Sequence, residues 1–192
     1  MIETRVLTGD ALETALDDLA RLRIEVFRDW PYLYDGDVEY ERKYLSGYTH
    51  PTAIVVAAFD GTRIVGASTG MGLEVSDEDF ATAFANRPEA LSDIFYCAES
   101  VLLSDYRGNG LGHAFFDARE AHARELGRRY SAFCGVVRPE DHPMRPAARS
   151  LEPFWRGRGY APLPGVIAHF NWRDVGEADE TAHPLQFWMR TL

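Results

Sequence analysis

Apolar and polar residues alternate over residues 2–8 (IETRVLT), the period of a β-strand, until Gly9 and Asp10 interrupt it. Asp10 suits a helix N-cap. From Ala11 to about Phe27 the apolar positions Leu12, Leu16, Leu19, Leu22 and Val26 recur every three or four residues, which predicts an amphipathic helix. Trp30-Pro31 ends it, because the residue before a proline is pushed out of the α region. PYLYDGD (31–37) reads as a loop and Val38–Tyr48 as a second short helix. A β-rich run at 52–59 and its partner at 63–72 flank Asp60-Gly61, a hairpin turn signal. Residues 73–93 are acidic and polar, with a helix around Asp77–Ala85 and a loop. A strand at 94–103 enters a glycine-rich turn, and a helix follows from about Leu111 to Leu126. Next come a strand at Tyr130–Val137, a loop at 138–149 with prolines 139, 143 and 146, and a short helix at Leu151–Arg156. Strands at 165–172 and 185–191 complete the chain. The pattern predicts one α+β domain over residues 1–192, with no repeat, low-complexity tract or linker.

Composition narrows the function classes. The formal net charge is −10, which argues against a nucleic-acid binder and mildly favours cationic substrates. Lys43 is the only lysine, so a Schiff-base mechanism would rest on that one residue in a charged run. No apolar run approaches the ~20 residues that span a bilayer. The N-terminus lacks the basic and apolar regions of a signal peptide, and a cytoplasmic location is the default expectation. Cys97 and Cys134 sit in apolar runs and are expected to be buried free thiols. Neither the cysteines nor the histidines show zinc spacing, so no metal is expected.

The chemistry concentrates in Glu99–Gly112, ESVLLSDYRGNGLG. A strand runs into Arg107-Gly108-Asn109-Gly110-Leu111-Gly112, and a helix opens at once. A helix N-terminus offers unpaired N–H groups and a partial positive charge. Glycines let that backbone approach a phosphate closely. Arg107 adds a fixed charge, so the turn suits a pyrophosphate. It is not a P-loop, because His113 rather than lysine follows Gly112. It is not the dinucleotide fingerprint either, since His113 stands where that pattern needs its last glycine.

Arg107, Gly110 and Gly112 stand at the fixed positions of Arg-x-x-Gly-x-Gly, with Tyr106 and Val101–Leu103 before them. This segment, and the order of elements along nearly the whole chain, resemble the GCN5-related N-acetyltransferase (GNAT) family. The resemblance implies a central mixed, mostly antiparallel sheet with a splayed parallel strand pair, flanked by helices. It implies acetyl-CoA as co-substrate. The pyrophosphate would lie on Arg107, Gly108, Asn109, Gly110, Leu111, Gly112 and His113, and the pantetheine arm along Val101, Leu102 and Leu103. It implies direct attack of a neutral amine on the thioester. Glu99, on the strand beside the reacting centre, is the candidate base, in surroundings expected to be apolar (Phe95, Val101, Leu102) and to raise its pKa.

Where the family often carries an acid tyrosine, this chain has Trp155, which is no useful acid and is expected to line the wedge beside the pantetheine. Tyr160 is a weaker substitute acid, and His142 a weak candidate base. Tyr32, Tyr34, Asp35 and Asp37 are the candidate acceptor contacts, suiting an amine with an apolar body. The 73–93 segment exceeds the short hairpin loop usual at that place and has no assigned role. The implied acceptor is a small-molecule amine, enclosed by the 73–93 and 138–149 segments. A protein N-terminus or lysine, or a non-catalytic acyl-CoA-binding module, is the alternative. Dimers are common in the family, and nothing in the sequence fixes the oligomeric state.

Overall fold

The computed structural model describes residues 2–145 and 150–192. Its strands are β1 (Ile2–Leu7), β2 (Ile54–Asp60), β3 (Arg63–Gly72), β4 (Ile94–Leu102), β5 (Tyr130–Val136), β6 (Ala161–Arg173) and β7 (Glu180–Thr191). They form one sheet in the order β1-β2-β3-β4-β5-β7-β6. All neighbours are antiparallel except β4 and β5. That parallel pair is joined only at Ile94–Tyr96 opposite Tyr130–Ala132, and then the strands part. The mixed sheet with a splayed pair is the fold class expected from the sequence. Both cysteines are free and buried. No described helix is long and apolar enough to cross a membrane.

Among the described residues five α-helices flank the sheet: α1 (Gly9–Phe27), α2 (Val38–Ser46), α3 (Glu78–Thr82), α4 (Leu111–Glu125) and α5 (Glu152–Gly157). The apolar stripe of α1 goes into the core through Leu12, Leu19 and Leu22. Asp37 caps α2, its carboxylate accepting from the Tyr40 N–H at 2.9 Å. The acidic 73–93 segment is not a free loop. Leu73 and Phe84 are buried with Ile94, Trp172 and Phe187 in a second core cluster over the C-terminal half of the sheet. Phe80 on α3 stacks on Phe170, ring centroids 5.6 Å apart.

The last two strands begin earlier than the expected 165–172 and 185–191. Prolines 162, 164 and 184 read as breaks because proline donates no ladder hydrogen bond. β6 is an edge strand, where that loss is tolerated. Pro184 stands at the end of the β5–β7 pairing, where its carbonyl still accepts from Val137 N at 2.9 Å and only the return bond is lost. Pro146, in the expected 138–149 loop, lies outside the described residues.

One irregularity sets up everything near the splay. The β3–β4 register slips between Thr69↔Glu99 and Met71↔Tyr96, so Cys97 and Ala98 stand opposite the single Gly70. An extra residue reverses which face the following side chains take. Cys97 faces α4 and reaches Ser131 Oγ, whereas both Ala98 and Glu99 face the opposite side. Carbonyls freed by the bulge go to Arg119 of α4, which is 1% exposed. Its Nη1 donates to Thr69 O (3.2 Å) and Glu99 O (2.9 Å), its Nη2 to Ser100 Oγ (2.9 Å) and its Nε to Phe115 O (3.2 Å).

A second device ties the loop after α1 to the end of β6. Arg138 donates to both oxygens of Asp174 (2.7 and 2.9 Å), to Pro31 O (2.8 Å) and to Tyr32 O. Trp172 Nε1 also donates to Tyr32 O, at 3.0 Å, and the His183 ring stacks on Trp172 at 3.8 Å. Burial alone would raise the Asp174 pKa, but the Arg138 hydrogen bond and charge hold it below its ordinary value. Burial pushes the His183 pKa down, more than neighbouring Asp174 raises it.

Two outcomes are expected. A Cβ at Gly70 would lie 2.5 Å from Phe95 Cε1 and 2.9 Å from Tyr96 O. Gly70→Ala should therefore lower stability by about 1–3 kcal/mol in urea unfolding, as overpacking does. For His183, the folded state disfavours the proton that the unfolded chain takes up. Its contribution is complete above the unfolded pKa of about 6.5 and declines as pH falls from there toward the folded value. The melting temperature should fall over that window, and His183→Gln should flatten the fall. An unchanged slope would show that His183 is not its source.

Candidate active site

The turn after β4 has the form its sequence requires. Gly108 and Gly110 adopt φ of 82° and 80°, a region costly for side-chain-bearing residues. Nothing lies within 4 Å of a Cβ built at either. Gly110 caps α4 without a side-chain cap, and the first helical bond runs from Ala114 N to Gly110 O. Among the described residues, the N–H groups from Gly108 to His113 have no backbone acceptor. Asn109 Nδ2 donates to Tyr106 O at 3.2 Å and shapes the turn from within. Open space faces a row of free donors at a helix N-terminus, which fits an anionic group such as a pyrophosphate. Arg107 is exposed, and its Nε donates to Leu102 O at 3.3 Å. His113 lies at the side of the turn, its Nδ1 accepting from Arg158 Nη1 at 3.1 Å.

On the other side of the splay lies a cavity of about 750 Å³. Its lining includes Tyr96 of the last β4–β5 pair and, just beyond it, Ala98 and Glu99 of β4 and Cys134 of β5. Tyr32, Tyr34, Asp35 and Asp37 line it too, so the structure brings the acceptor candidates and Glu99 together. Leu33, between the tyrosines, has φ of 52°, a rare conformation for a residue with a side chain. The loop turns there, and Tyr32 and Tyr34 both meet the cavity.

The enclosure of Glu99 is not the apolar one expected. The carboxylate is ion-paired with Arg23 of α1, which also pairs with the fully buried Glu41 of α2. Tyr44 donates to Glu99 Oε2 at 3.2 Å and lies 2.8 Å from the Tyr48 hydroxyl. Burial would lower the Arg23 pKa, but Glu99, Tyr44 and Glu41 raise it well above its ordinary value. Burial, and then the Glu99 charge, raise the pKa of both Tyr44 and Tyr48, so the hydroxyls keep their protons. Two carboxylates around one guanidinium leave a net negative charge at the cavity floor.

Other expectations are redistributed. Asp35 lines the cavity but is engaged by Arg173 at 2.8 Å and Arg28 at 3.3 Å. Trp155 packs on Phe133 and Trp188, and a Cβ at Gly135 would meet its ring at 3.1 Å, so it covers β5 on the α5 side. Val101 and Leu103 are buried, which leaves their backbone as the part available to a ligand. Tyr160 is buried away from the cavity, donating to Glu120 at 2.9 Å, and burial strongly raises its pKa. It is no acid for this site. His142 packs on Trp30 and does not line the cavity. Burial pushes the Cys134 thiol up to about 12, which makes it a poor nucleophile.

Arg23, Glu41, Tyr44 and Tyr48 escaped sequence reasoning. A signal existed: Arg23 stands four residues after Leu19 and four before Phe27 on the buried stripe of α1. A charge on an apolar stripe calls for a buried partner.

No family model and no curated protein matches the sequence. Solved structures do match. A ribosomal-protein-alanine N-acetyltransferase from Brucella melitensis is 14% identical, with a TM-score of 0.63 over 98% of this chain and 99% of that one. An aminoglycoside 6'-N-acetyltransferase complexed with coenzyme A is 16% identical, with a TM-score of 0.61 over 97% and 96%. An acetyltransferase of the GNAT family from Streptococcus pneumoniae is 14% identical, with a TM-score of 0.58 over 99% and 100%. Such identities speak for architecture alone, and on that ground this chain has the GNAT fold.

Proposed function

We propose that this chain is an acyltransferase of one domain that moves the acetyl group of acetyl-CoA to the amine of a small molecule. The observation that carries the reading is the arrangement about the splay. A free-donor turn ends β4, and the same strand turns Glu99 into a half-open cavity where β4 leaves β5. The cavity volume suits a small molecule better than the open groove a protein acceptor needs. Of the two segments expected to enclose it, 73–93 does so, whereas His142 of the other packs elsewhere. A cytoplasmic location is part of this reading.

The backbone of Gly108–His113 would hold the pyrophosphate, and the free edge of β4 at Val101–Leu103 would hold the arm. When bound, acetyl-CoA supplies a thioester, an acetyl group already activated toward amines. The remaining work belongs to the chain. An alkylamine is protonated at neutral pH, so a group must take its proton. Glu99 faces the cavity and does this, directly or through water. Arg23 fixes the carboxylate in place. Tyr44 donates to it, and Tyr44 and Tyr48 can hand protons along their 2.8 Å contact. The negative floor draws the ammonium toward Glu99.

Two measurements test this. Calorimetric titration should show saturable binding of acetyl-CoA and none of ATP or NADH. Gly110→Trp, folded by circular dichroism, should abolish it, because the side chain fills the cradle. Absence of acetyl-CoA binding to the unaltered chain would end the proposal. Glu99→Gln should keep acetyl-CoA binding but lower turnover by about a hundredfold or more near neutral pH, the usual worth of a general base. The deficit should shrink as pH rises and free amine becomes abundant. An equal deficit at every pH would remove Glu99 as the base.

A further inference from the structure

The cavity is lined by six carboxylates and two guanidinium groups, and those two are already engaged: Arg23 by Glu41 and Glu99, Arg173 by Asp35. Three of the carboxylates, Asp37, Asp77 and Glu180, have no cationic partner among the described residues. Asp37 and Asp77 accept only from backbone N–H groups of the helices they cap. They come from separate parts of the chain, with Asp77 supplied by the 73–93 segment that had no assigned role. A second, independent feature points to a ligand. Glu41 is fully buried and lines the cavity; one oxygen takes Arg23, and Oε1 has no hydrogen bond of good geometry, with the Tyr34 hydroxyl as its neighbouring donor. An unpaired buried carboxylate oxygen is costly unless something cationic or hydrogen-bonding reaches it.

The acidic groups converge. The hydroxyl of Tyr40 at the cavity has its pKa raised first by burial and then by Glu41, with Asp77 and Glu180 adding to it. Those carboxylates come from α2, from the 73–93 segment and from β7. Beside them stand Phe80, Phe170 and Trp172, an aromatic wall in which Phe80 stacks on Phe170 and His183 on Trp172. Glu99 lies on β4 and pairs with Arg23, so the site has one negative floor and one negative, aromatic mouth.

We infer that the acceptor is a dication: one amine is placed at Glu99 for acetylation, while a second cationic group is held between Asp77 and Glu180 against the aromatic wall. This rests on the acetyltransferase reading above and names the substrate class of that same cavity. It gives the 73–93 segment a purpose, since without it the mouth loses Asp77 and Phe80 together.

The test compares p-xylylenediamine with benzylamine, which share an aromatic body and differ in the number of cationic groups. Both are titrated into the protein saturated with coenzyme A, and both are assayed with acetyl-CoA for thiol release. The diamine is expected to bind and react at least about tenfold better, an advantage the size of two partly exposed ion pairs. The ratio should shrink as salt rises. In Asp77→Asn/Glu180→Gln it should fall to within about threefold, while Glu13→Gln, on the exposed face of α1, leaves it unchanged. Equal affinity and turnover for the two amines would overturn the inference and leave the acetyltransferase reading standing. Selective diamine binding without thiol release would sustain the cavity's preference and sink the transferase reading. No saturable diamine binding would overturn the inference directly.

Discussion

A single extra residue in β4, held by the guanidinium of Arg119, is the constraint on which the site depends. Strand side chains alternate with a period of two, so in a regular strand Phe95, Cys97 and Glu99 would share the face that looks at α4. Opposite Gly70 the strand carries two residues instead of one, and Glu99 crosses to the cavity. A bulge strands backbone carbonyls, and stranded carbonyls in a buried sheet need donors. Arg119 supplies them to Thr69 and Glu99 while anchoring itself on its own helix. The same helix carries at its other end the open turn with the unpaired N–H groups. Thus α4 sets both the face that Glu99 takes and the place of the anion cradle. Gly70 completes the device, because Phe95 and the Tyr96 carbonyl fill the space its side chain would need.

Buried charge then sets what the cavity does. Arg23, Glu41 and Glu99 are each almost wholly removed from water. Two anions and one cation in a low-dielectric pocket tolerate each other only with further compensation. Tyr44 provides part of it by donating to Glu99, and burial, then the Glu99 charge, raises the pKa of both Tyr44 and Tyr48. The remaining negative charge is what an arriving ammonium would neutralise. On the proposed reading the site is incomplete by one cation, which an amine substrate would supply.

The sequence carried the architecture further than the chemistry, for physical reasons. α1 was legible because its apolar stripe repeats over five turns, and the turn at Arg107–Gly112 because glycines with positive φ leave a mark that few other residues can. The ends of β6 and β7 were obscured by prolines whose cost depends on whether a strand has a free edge, which is a property of topology. The surroundings of Glu99 were misread because regular alternation puts Phe95 and Val101 on its face. Its true neighbours, Arg23 and Tyr44, lie 76 and 55 positions away along the chain. Only the buried position of Arg23 on α1 hinted that a charge partner was waiting elsewhere. The 73–93 segment read as an acidic insertion without a role, since six of its 21 residues are acidic. Leu73, Phe80 and Phe84 were enough to seat it on the sheet.

That last point bears on how such a fold acquires selectivity. The sheet, the bulge and the turn must stay fixed for an anion cradle and a base to share one strand. The cavity mouth is under no such constraint, since it is built by a connection between β3 and β4 and by the far end of the β6–β7 hairpin. Three aromatic or aliphatic anchors hold the connection in place, leaving its remaining side chains free to present charge. Asp77 is spent as a helix cap yet keeps its negative charge facing the cavity. A residue that secures its own short helix and offers charge to a ligand needs no separate scaffold. If the proposed reading holds, the acceptor preference resides in the connection, and the capacity for acyl transfer in β4.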